Sequence, residues 1–582
     1  MAANYGWELG GGGFVNVTGE YLTRGRTNRP ADPDVFDIYR RQFGDASAEN
    51  GAFFLNARMP VSGAAAAYAF GGASLRRTDA YAWTRDADSE RNVTAIYPGG
   101  FDPRILSDIA DGSMSLGVVG EWGGWTVDLN NTFGLNRLEY GVAGSLNASM
   151  GASSPTAFDA GGFQFAQNTT GLGLSRLYPD VGAGLNVAFG AEFRVDRYSI
   201  FSGEEASWRS YGAQDTLEDG SVVAKPGGSQ GFPGYRPENE LAESRTNAGA
   251  YADVELDVSD RVTVGGAARY EHYSDFGGTL TGRLAARIGL APGLSLRASA
   301  GTGFRAPSLA QVYFNTTFTD FVGGVAVDKL IARNDSDITR ALGIPALREE
   351  KSTNLGVGLT ASFGPFTGTV DAYQVDIDDR IVLTGAFEDT DPDIGGELQA
   401  RNVGAAQFFT NALDTRTRGV DVVLAWARLF GEHGMRASLA GNVNDMELGD
   451  VTTSARLAGK EDVYFGPREQ AFLLASAPES RATLSLEHRY RRAESALRVS
   501  RFGEVRLIDW IDETDVYEPA YTVDASFTWR LAGAARVTVG GTNLLDAYPT
   551  QQDTETETGG LWDAVQMGSS GAFYFVRFEI RR

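Results

Sequence analysis

The stretch from Ala520 to Leu531 reads Ala-Tyr-Thr-Val-Asp-Ala-Ser-Phe-Thr-Trp-Arg-Leu, and apolar and polar side chains alternate along it. Successive side chains of a β-strand point to opposite faces, so this alternation predicts a strand with one apolar and one polar face. A soluble β-sandwich would show the same pattern, so alternation alone leaves the environment of the strand open. The pattern recurs in segments 252–259, 354–363 and 483–490.

The lengths of the predicted strands and of their connections favour a membrane barrel over a soluble β-sandwich. We count about 21 alternating segments, and many are longer than the five or six residues that are usual in soluble proteins. Tilted strands of about 9–11 residues cross a bilayer. Short and long connections alternate, which places all long loops at one end, as in an outer-membrane β-barrel. Long connections are predicted near 27–50, 86–111, 144–168, 205–245, 306–349, 385–406, 449–478 and 547–571.

The directions of the first and last strands predict how such a barrel would close. Strand 2–8 precedes a short turn and strand 572–581 follows a long loop, so both run towards the short-turn end. Bacterial barrels have an even number of strands and close antiparallel, whereas these two strands would meet in parallel. We therefore expect one further strand before Met1. Short connections are predicted at 9–13, 123–124, 259–261, 291–293, 364–366 and 531–534.

Aromatic residues cluster near the short connections. An aromatic girdle at the membrane–water interface is typical of outer-membrane barrels. The alternative is the ordinary preference of aromatic residues for strands. The predicted girdle consists of Tyr5, Trp7, Trp122, Trp125, Tyr178, Phe363, Phe366, Trp426, Phe430, Tyr490, Trp529 and Phe578.

The composition of the 582 residues excludes several classes of protein. The chain has no cysteine, which excludes disulfides, thiolate metal sites and cysteine nucleophiles. Its three histidines, His272, His433 and His488, are widely spaced, so we do not expect a multi-histidine metal site. A net charge of -24 argues against nucleic acid as a partner. We find neither a transmembrane helix nor a signal peptide in the sequence.

The segment Gly227-Gly-Ser-Gln-Gly231 matches the Gly-x-Ser-x-Gly pattern of hydrolases. That pattern requires a strand before the serine and a helix after it. Pro226 precedes the segment and Phe232-Pro-Gly follows it inside a long predicted loop. We therefore expect a flexible turn, and we predict no catalytic residue and no enzymatic activity.

The acidic segment Asp389-Thr-Asp-Pro-Asp393 carries oxygen donors of the kind that bind calcium. Ile394 and Ala400 stand where a calcium loop needs glycine and glutamate, so a solvated acidic loop is favoured. No metal-binding residue and no cofactor are predicted.

Aromatic side chains in the long loops are candidate ligand anchors. They could equally pack the loops against one another, so the ligand-binding residues stay unassigned. The residues are Tyr211, Phe232, Tyr235, Tyr313, Phe314, Phe318, Phe321, Tyr464, Phe465 and Trp562.

An ordered set of segments resembles the TonB-dependent outer-membrane receptors. Gly303-Phe-Arg-Ala-Pro-Ser-Leu309 follows one predicted strand, and Glu349-Glu-Lys-Ser-Thr-Asn-Leu-Gly-Val-Gly358 opens the next. Asn411 through Arg418-Gly-Val-Asp421 and Gly541-Thr-Asn-Leu-Leu-Asp546 come later in the same order. Upstream, Gly13–Thr18, Thr27–Arg29, Arg91–Phe101 and Leu146–Thr156 resemble one large subgroup of these receptors.

The resemblance implies a 22-stranded all-β transmembrane barrel in the bacterial outer membrane, with residues 1–582 as one barrel domain. Members of the family also have an N-terminal plug domain, which we do not find in this chain. The C-terminal residue of this chain is Arg582, whereas members of the family usually end on an aromatic residue. The implied function is ligand-gated, TonB-energised uptake of a scarce nutrient: a siderophore, cobalamin, a carbohydrate or a peptide. The implied partners are outer-membrane lipid, the plug domain, TonB through the plug, and the nutrient.

Two other functions remain open on the sequence. One is a passive porin-like channel without a plug, and the other is a soluble all-β hydrolase or lectin. A soluble protein would stay monomeric without detergent, whereas the apolar strand faces predict aggregation in water.

Overall fold

The computed structural model describes residues 1–30, 34, 40–216, 222–322, 325–400, 403–476, 478–509, 512–531, 534–551, 559–562 and 565–581. Within these residues the main sheet has 24 strands, of which three are short strands within loops and the other twenty-one form a wall. The wall strands are β1 Ala2–Leu9, β2 Gly13–Arg24, β3 Ser47–Ser62, β4 Ala65–Tyr81, β5 Arg104–Trp122, β6 Trp125–Ala143, β7 Ala157–Tyr178, β8 Gly184–Phe201, β11 Leu241–Ser259, β12 Val262–Tyr273, β13 Gly277–Ala291, β14 Leu294–Arg305, β17 Glu350–Phe363, β18 Phe366–Leu383, β20 Ala405–Phe430, β21 His433–Leu448, β22 Ser480–Tyr490, β23 Ala493–Phe502, β26 Ala520–Arg530, β27 Ala535–Thr542 and β28 Phe573–Ile580.

The long connections carry the smaller elements. The short strands are β9 Gln214–Thr216, β10 Val222–Ala224, β15 Thr316–Val322, β16 Val325–Ala332, β19 Phe387–Glu388, β24 Val505–Ile508 and β25 Thr514–Tyr517. The helices are α1 Glu205–Trp208, α2 Leu309–Tyr313, α3 Asp337–Ala341, α4 Gly395–Gln399, α5 Glu461–Tyr464 and α6 Pro467–Leu474. Among the described residues, the model contains no helix with the length and apolar character that crossing a membrane would take.

Neighbouring wall strands pair antiparallel in chain order, and their ladders fix one continuous apolar face. In the deciding stretch, Tyr521 pairs with Arg501 and Trp529 pairs with Ala493, so the alternate side chains of β26 keep to one face. Tyr521, Phe527 and Trp529 on that face are about half exposed. A soluble protein rarely exposes so extended an apolar surface, whereas lipid covers it in a membrane barrel.

The predicted girdle is confirmed as one ring at the short-turn end. The ladders place its members on the apolar face. Trp122 pairs with Trp125, and Phe366 pairs with both Phe363 and Trp426. Trp122 is 80% exposed, so packing within the protein does not explain its position. The ring sits where aromatic side chains meet a membrane–water interface.

The two end strands of the wall run in the same direction, as the strand count predicts. β1 pairs with β2 and β28 pairs with β27, and in the described part of the chain no ladder joins β1 to β28. Loops from the two ends of the chain nevertheless meet: Pro30 bridges Gly560, and Arg29 donates to the carbonyl of Ser570 at 2.7 Å. The first and last long loops are therefore neighbours above these two strands.

Several predicted boundaries were wrong at the long-loop end. β5 begins at Arg104 and β7 at Ala157, inside the predicted loops 86–111 and 144–168. Apolar and polar residues are mixed on both faces of these upper strand segments, so alternation does not reveal them. The loop 306–349 also holds a hairpin and two helices, and predicted strand 494–510 is two strands, β23 and β24. The short turns lie where predicted, except that residues 532–533 of the turn 531–534 fall outside the described residues.

Candidate ligand-binding site at the long-loop mouth

The loops after β14, β18 and β21 fold together over the mouth of the wall. They share a buried apolar core, here called the loop core, which ties three chain segments into one unit. Phe408 and Phe387 stack at 5.5 Å in its centre, and Tyr464 donates to or accepts from Thr410 Oγ1 at 2.7 Å. Its larger members are Ile338, Leu342, Ile344, Phe387, Ile394, Leu398, Phe408, Leu413, Leu457, Tyr464 and Phe465.

A cavity of about 620 Å³, here called the mouth pocket, lies between β14, β17, β18 and helix α6. Two arginine side chains and one carboxylate line it, together with the rings of Phe465 and Phe472. The surplus of positive charge among apolar rings suits an anionic ligand with apolar groups. The lining includes Phe304, Arg305, Glu350, Lys351, Ile377, Arg380, Ile381, Phe465, Phe472 and Leu473.

One of the two arginines is already neutralised within the pocket. Arg305 donates to Glu350 from Nε at 2.6 Å and from Nη2 at 2.5 Å, a bidentate pair. Glu350 Oε1 also accepts from the backbone N–H of Ile381 at 2.7 Å. Arg380 donates to a neutral partner, the Thr415 hydroxyl, at 3.1 Å, and Lys351 lies 3.4 Å from Glu349 at the surface. Arg380 is therefore the pocket cation with the most capacity to bind an anion.

The segment Gly303–Leu309, which carries the family resemblance, organises this end of the wall. Arg305 pairs with Glu350, and the carbonyl of Pro307 accepts from Arg245 Nη1 at 2.6 Å. Ser308 caps helix α2 by accepting from the Gln311 backbone N–H at 3.0 Å, and Leu309 is buried. The segment therefore locks β11, β14 and β17 together beside the pocket.

Most loop aromatics named from the sequence pack against protein. Phe232 lies 5.0 Å from the ring of Tyr140 and 5.7 Å from Tyr235, which is buried. Burial raises the pKa of Tyr235 above its ordinary value. Tyr313 and Phe314 join the same cluster.

The remaining aromatics divide between the loop core and the surface. Tyr464 and Phe465 are buried in the loop core, and Phe465 also lines the mouth pocket. Tyr211 is exposed beneath Arg209, and Trp562 stacks on Tyr548 at 4.2 Å. The side chains of Phe318 and Phe321 lie outside the described residues.

The acidic segment 389–393 holds an ammonium group. Lys460 Nζ lies 2.8 Å from Asp391 Oδ2 and 3.1 Å from Asp393 Oδ2. Burial alone would raise the pKa of Asp391, but hydrogen bonds from Lys460 and from two backbone N–H groups lower it below its ordinary value. These carboxylates therefore join two loops through Lys460, and the Asp393 side chain stays 72% exposed.

The Gly227–Gly231 segment lies in a loop, as predicted. The short strand β10 ends at Ala224, and no helix begins directly after Ser229 in the described residues, so the strand–serine–helix turn of the hydrolase pattern is not formed. Ser229 is buried and its hydroxyl donates to the carbonyl of Phe232 at 2.6 Å. The serine holds the turn that positions Phe232 and Tyr235.

The wall, its lipid-facing apolar surface and its aromatic ring define an outer-membrane β-barrel. The chain belongs to the TonB dependent receptor-like β-barrel family, whose model matches residues 63–544. It is therefore an outer-membrane protein, with its long loops on the extracellular side and its short turns on the periplasmic side.

Solved structures share this fold. A variant of the ferric enterobactin receptor of Pseudomonas aeruginosa superposes with a TM-score of 0.66 at 14% identity, over 99% of this chain and 76% of that chain. The siderophore receptor PirA of Acinetobacter baumannii gives a TM-score of 0.64 at 12% identity, over 99% and 76%. These identities show likeness of fold alone.

A curated relative matches a shorter part of the chain. The vitamin B12 transporter BtuB of Vibrio vulnificus is 28% identical over 184 residues, which is 31% of this chain and 23% of that protein. The match therefore spans less than a quarter of the relative's length.

Proposed function

We propose that this protein is the barrel of a receptor that takes up a scarce, anionic nutrient across the outer membrane, energised through TonB. The mouth pocket carries the proposal, because it offers Arg380 beside the rings of Phe465 and Phe472 at the extracellular end. A ferric siderophore combines negative charge with apolar groups and fits this chemistry. The solved siderophore receptors of the same fold support this ligand class.

We further propose that a plug domain fills the lumen and gates uptake. The inner face of the wall carries charged and hydrogen-bonding side chains suited to such a domain. Tyr68 donates to Asp128 at 2.8 Å, and Arg297 donates to Asp371 at 2.8 Å on this face. A barrel this wide would conduct freely if its lumen were empty.

We also propose that one additional strand closes the wall. A strand antiparallel to both β1 and β28 would satisfy the backbone edges that these two strands present. The contacts between their extracellular loops support closure at this seam, because Pro30 and Gly560 already bridge it.

Replacing Arg380 with glutamine is expected to weaken binding of an anionic ligand about 10–100-fold. The reason is the loss of a hydrogen bond to a charged group, which contributes about 1.5–3 kcal/mol. The measurement is a fluorescence titration of the detergent-purified protein with ferric enterobactin, and with vitamin B12 as a second probe.

Arg418→Gln is the matched control for this experiment. Arg418 pairs with Gln374 at 2.9 Å on the opposite face of the same wall, so its loss should leave binding unchanged. The assignment of the mouth pocket as the ligand-binding site would be contradicted if the Arg380→Gln variant bound a probe as tightly as the unaltered protein does. Absence of ferric enterobactin binding by the unaltered protein would contradict the proposed siderophore ligand, and binding of vitamin B12 in its place would indicate a cobalamin receptor.

A further inference from the structure

Two of the chain's three histidines lie side by side on the outer face of the periplasmic rim. His433 begins β21 directly after the turn at Gly431 and Glu432, and His488 lies near the end of β22. The ladder pairs His433 with Tyr490 and Met435 with His488, so the two imidazoles are diagonal neighbours on one face. Wide spacing along the sequence therefore does not keep these two histidines apart in the fold.

The two rings present nitrogen atoms to each other. His433 Nδ1 lies 3.0 Å from His488 Nε2, and the ring planes are 11° apart. Tyr490 stacks on His433 at 4.3 Å, which limits rotation of that imidazole. Zinc–nitrogen bonds are about 2.0–2.1 Å long, so two nitrogens bound to one ion lie about 3 Å apart. The observed separation already matches that requirement.

We propose that His433 and His488 form a binding site for a divalent transition-metal ion, such as Cu²⁺, Ni²⁺ or Zn²⁺. Neutral imidazole is a common ligand for these ions, and it needs a lone pair on the ligating nitrogen. His433 would carry its proton on Nε2 and His488 on Nδ1, which leaves both facing nitrogens free to bind. The ion would replace the hydrogen bond that now joins them.

The surroundings indicate an open site with solvent ligands. In the described part of the chain, no group of three or more His, Cys, Asp or Glu side chains could hold a metal, so the pair would be completed by water. Met435 is the cross-strand neighbour of His488 and is 44% exposed, which makes its thioether a further candidate ligand. Glu432 lies 2.6 Å from Arg491 and offsets that positive charge at the rim.

The bound ion would act as a clip between β21 and β22. These strands are joined in sequence through the long loop that carries α5 and α6, so at the periplasmic rim their backbones are joined by the sheet ladder alone. Binding to the folded barrel and not to the unfolded chain would raise its unfolding temperature.

The test is electron paramagnetic resonance of the detergent-purified protein titrated with Cu²⁺ alone. We expect one Cu²⁺ per chain with hyperfine coupling to two imidazole nitrogens. His433→Asn and His488→Asn are each expected to weaken binding by a factor of about 10 or more, since even loss of a residue that only supports a metal ligand commonly costs that much. Affinity should fall in the order Cu²⁺, then Ni²⁺ or Zn²⁺, then Mn²⁺.

His272→Asn and Met435→Leu are the controls. The first should leave the spectrum unchanged, and the second should retain both nitrogen couplings. The spectrum of the unaltered protein tests the site even if a histidine variant fails to fold. Coupling to fewer than two imidazole nitrogens, loss of binding in His272→Asn, or no stoichiometric binding would overturn the proposal.

Discussion

Replacing Arg245 with alanine is expected to lower the free energy of unfolding by about 3 kcal/mol, because the buried Asp196 carboxylate loses its closest cationic partner. Asp196 keeps weaker contacts with Arg194 at 3.6 Å and Gln167 at 2.9 Å. Arg245 Nη2 lies 3.1 Å from Asp196 Oδ2, and the two side chains are 6% and 3% exposed. The same guanidinium holds the carbonyl of Pro307. Its loss therefore also releases the Gly303–Leu309 segment beside the mouth pocket.

Urea unfolding of the protein in lipid vesicles measures this effect. The control is Arg77→Ala, which breaks an ion pair with Asp108. The side chains of Arg77 and Asp108 are 80% and 63% exposed. Exposed pairs contribute about 0–1 kcal/mol, so this control should unfold almost like the unaltered protein. A double change, Arg245→Met with Asp196→Asn, should recover part of the loss because it removes the buried charge. Equal unfolding midpoints for Arg245→Ala and Arg77→Ala would contradict a stabilising role of the buried pair.

Replacing Leu129 with arginine is expected to destabilise the barrel by about 2 kcal/mol or more, since a charge would enter the lipid-facing surface. Leu129 is 54% exposed, and its ladder partners Val118 and Leu172 are exposed apolar residues on the same face. The cost is depth-dependent, reaching about 2–4 kcal/mol at the bilayer midplane. Unfolding in vesicles measures it.

Asn130→Arg is the matched control, one residue along the same strand. Asn130 points to the opposite face, where its side chain donates to Asp128 at 3.3 Å. An arginine there meets water and a carboxylate, so little destabilisation is expected. If the two variants were equally stable, the assignment of lipid-facing and lumen-facing sides would be wrong.

The wall was predictable because strand alternation and turn spacing are local properties. Segments such as 520–531 and 354–363 carry one apolar face, and the short connections fix the hairpins. The starts of β5 and β7 were not predictable in this way, since their upper parts leave the membrane and lose the apolar face. Likewise, the strands Thr316–Val322 and Val325–Ala332 pair with each other, and the second pairs in parallel with β20, so they show no membrane pattern.

The candidate sites depended on contacts across the sheet. Arg305, Glu350 and Arg380 come from three wall strands, and helix α6 completes the pocket from a distant loop. No residue spacing in the sequence predicts that these three strands and helix α6 come together. The histidine pair could have been predicted from the sequence, because His433 and His488 both lie at or beside the short-turn ends of predicted strands. Strand pairing, and not distance along the chain, decides which of them meet.

Nutrient uptake by bacteria expressing this barrel together with its plug domain tests the central proposal most directly. The cells would lack their own receptors for ferric enterobactin and vitamin B12, and uptake of each labelled ligand would be compared with and without TonB. The proposal predicts saturable uptake that is lost when TonB is deleted. Uptake that rises linearly with ligand concentration and persists without TonB would contradict it and identify a passive pore.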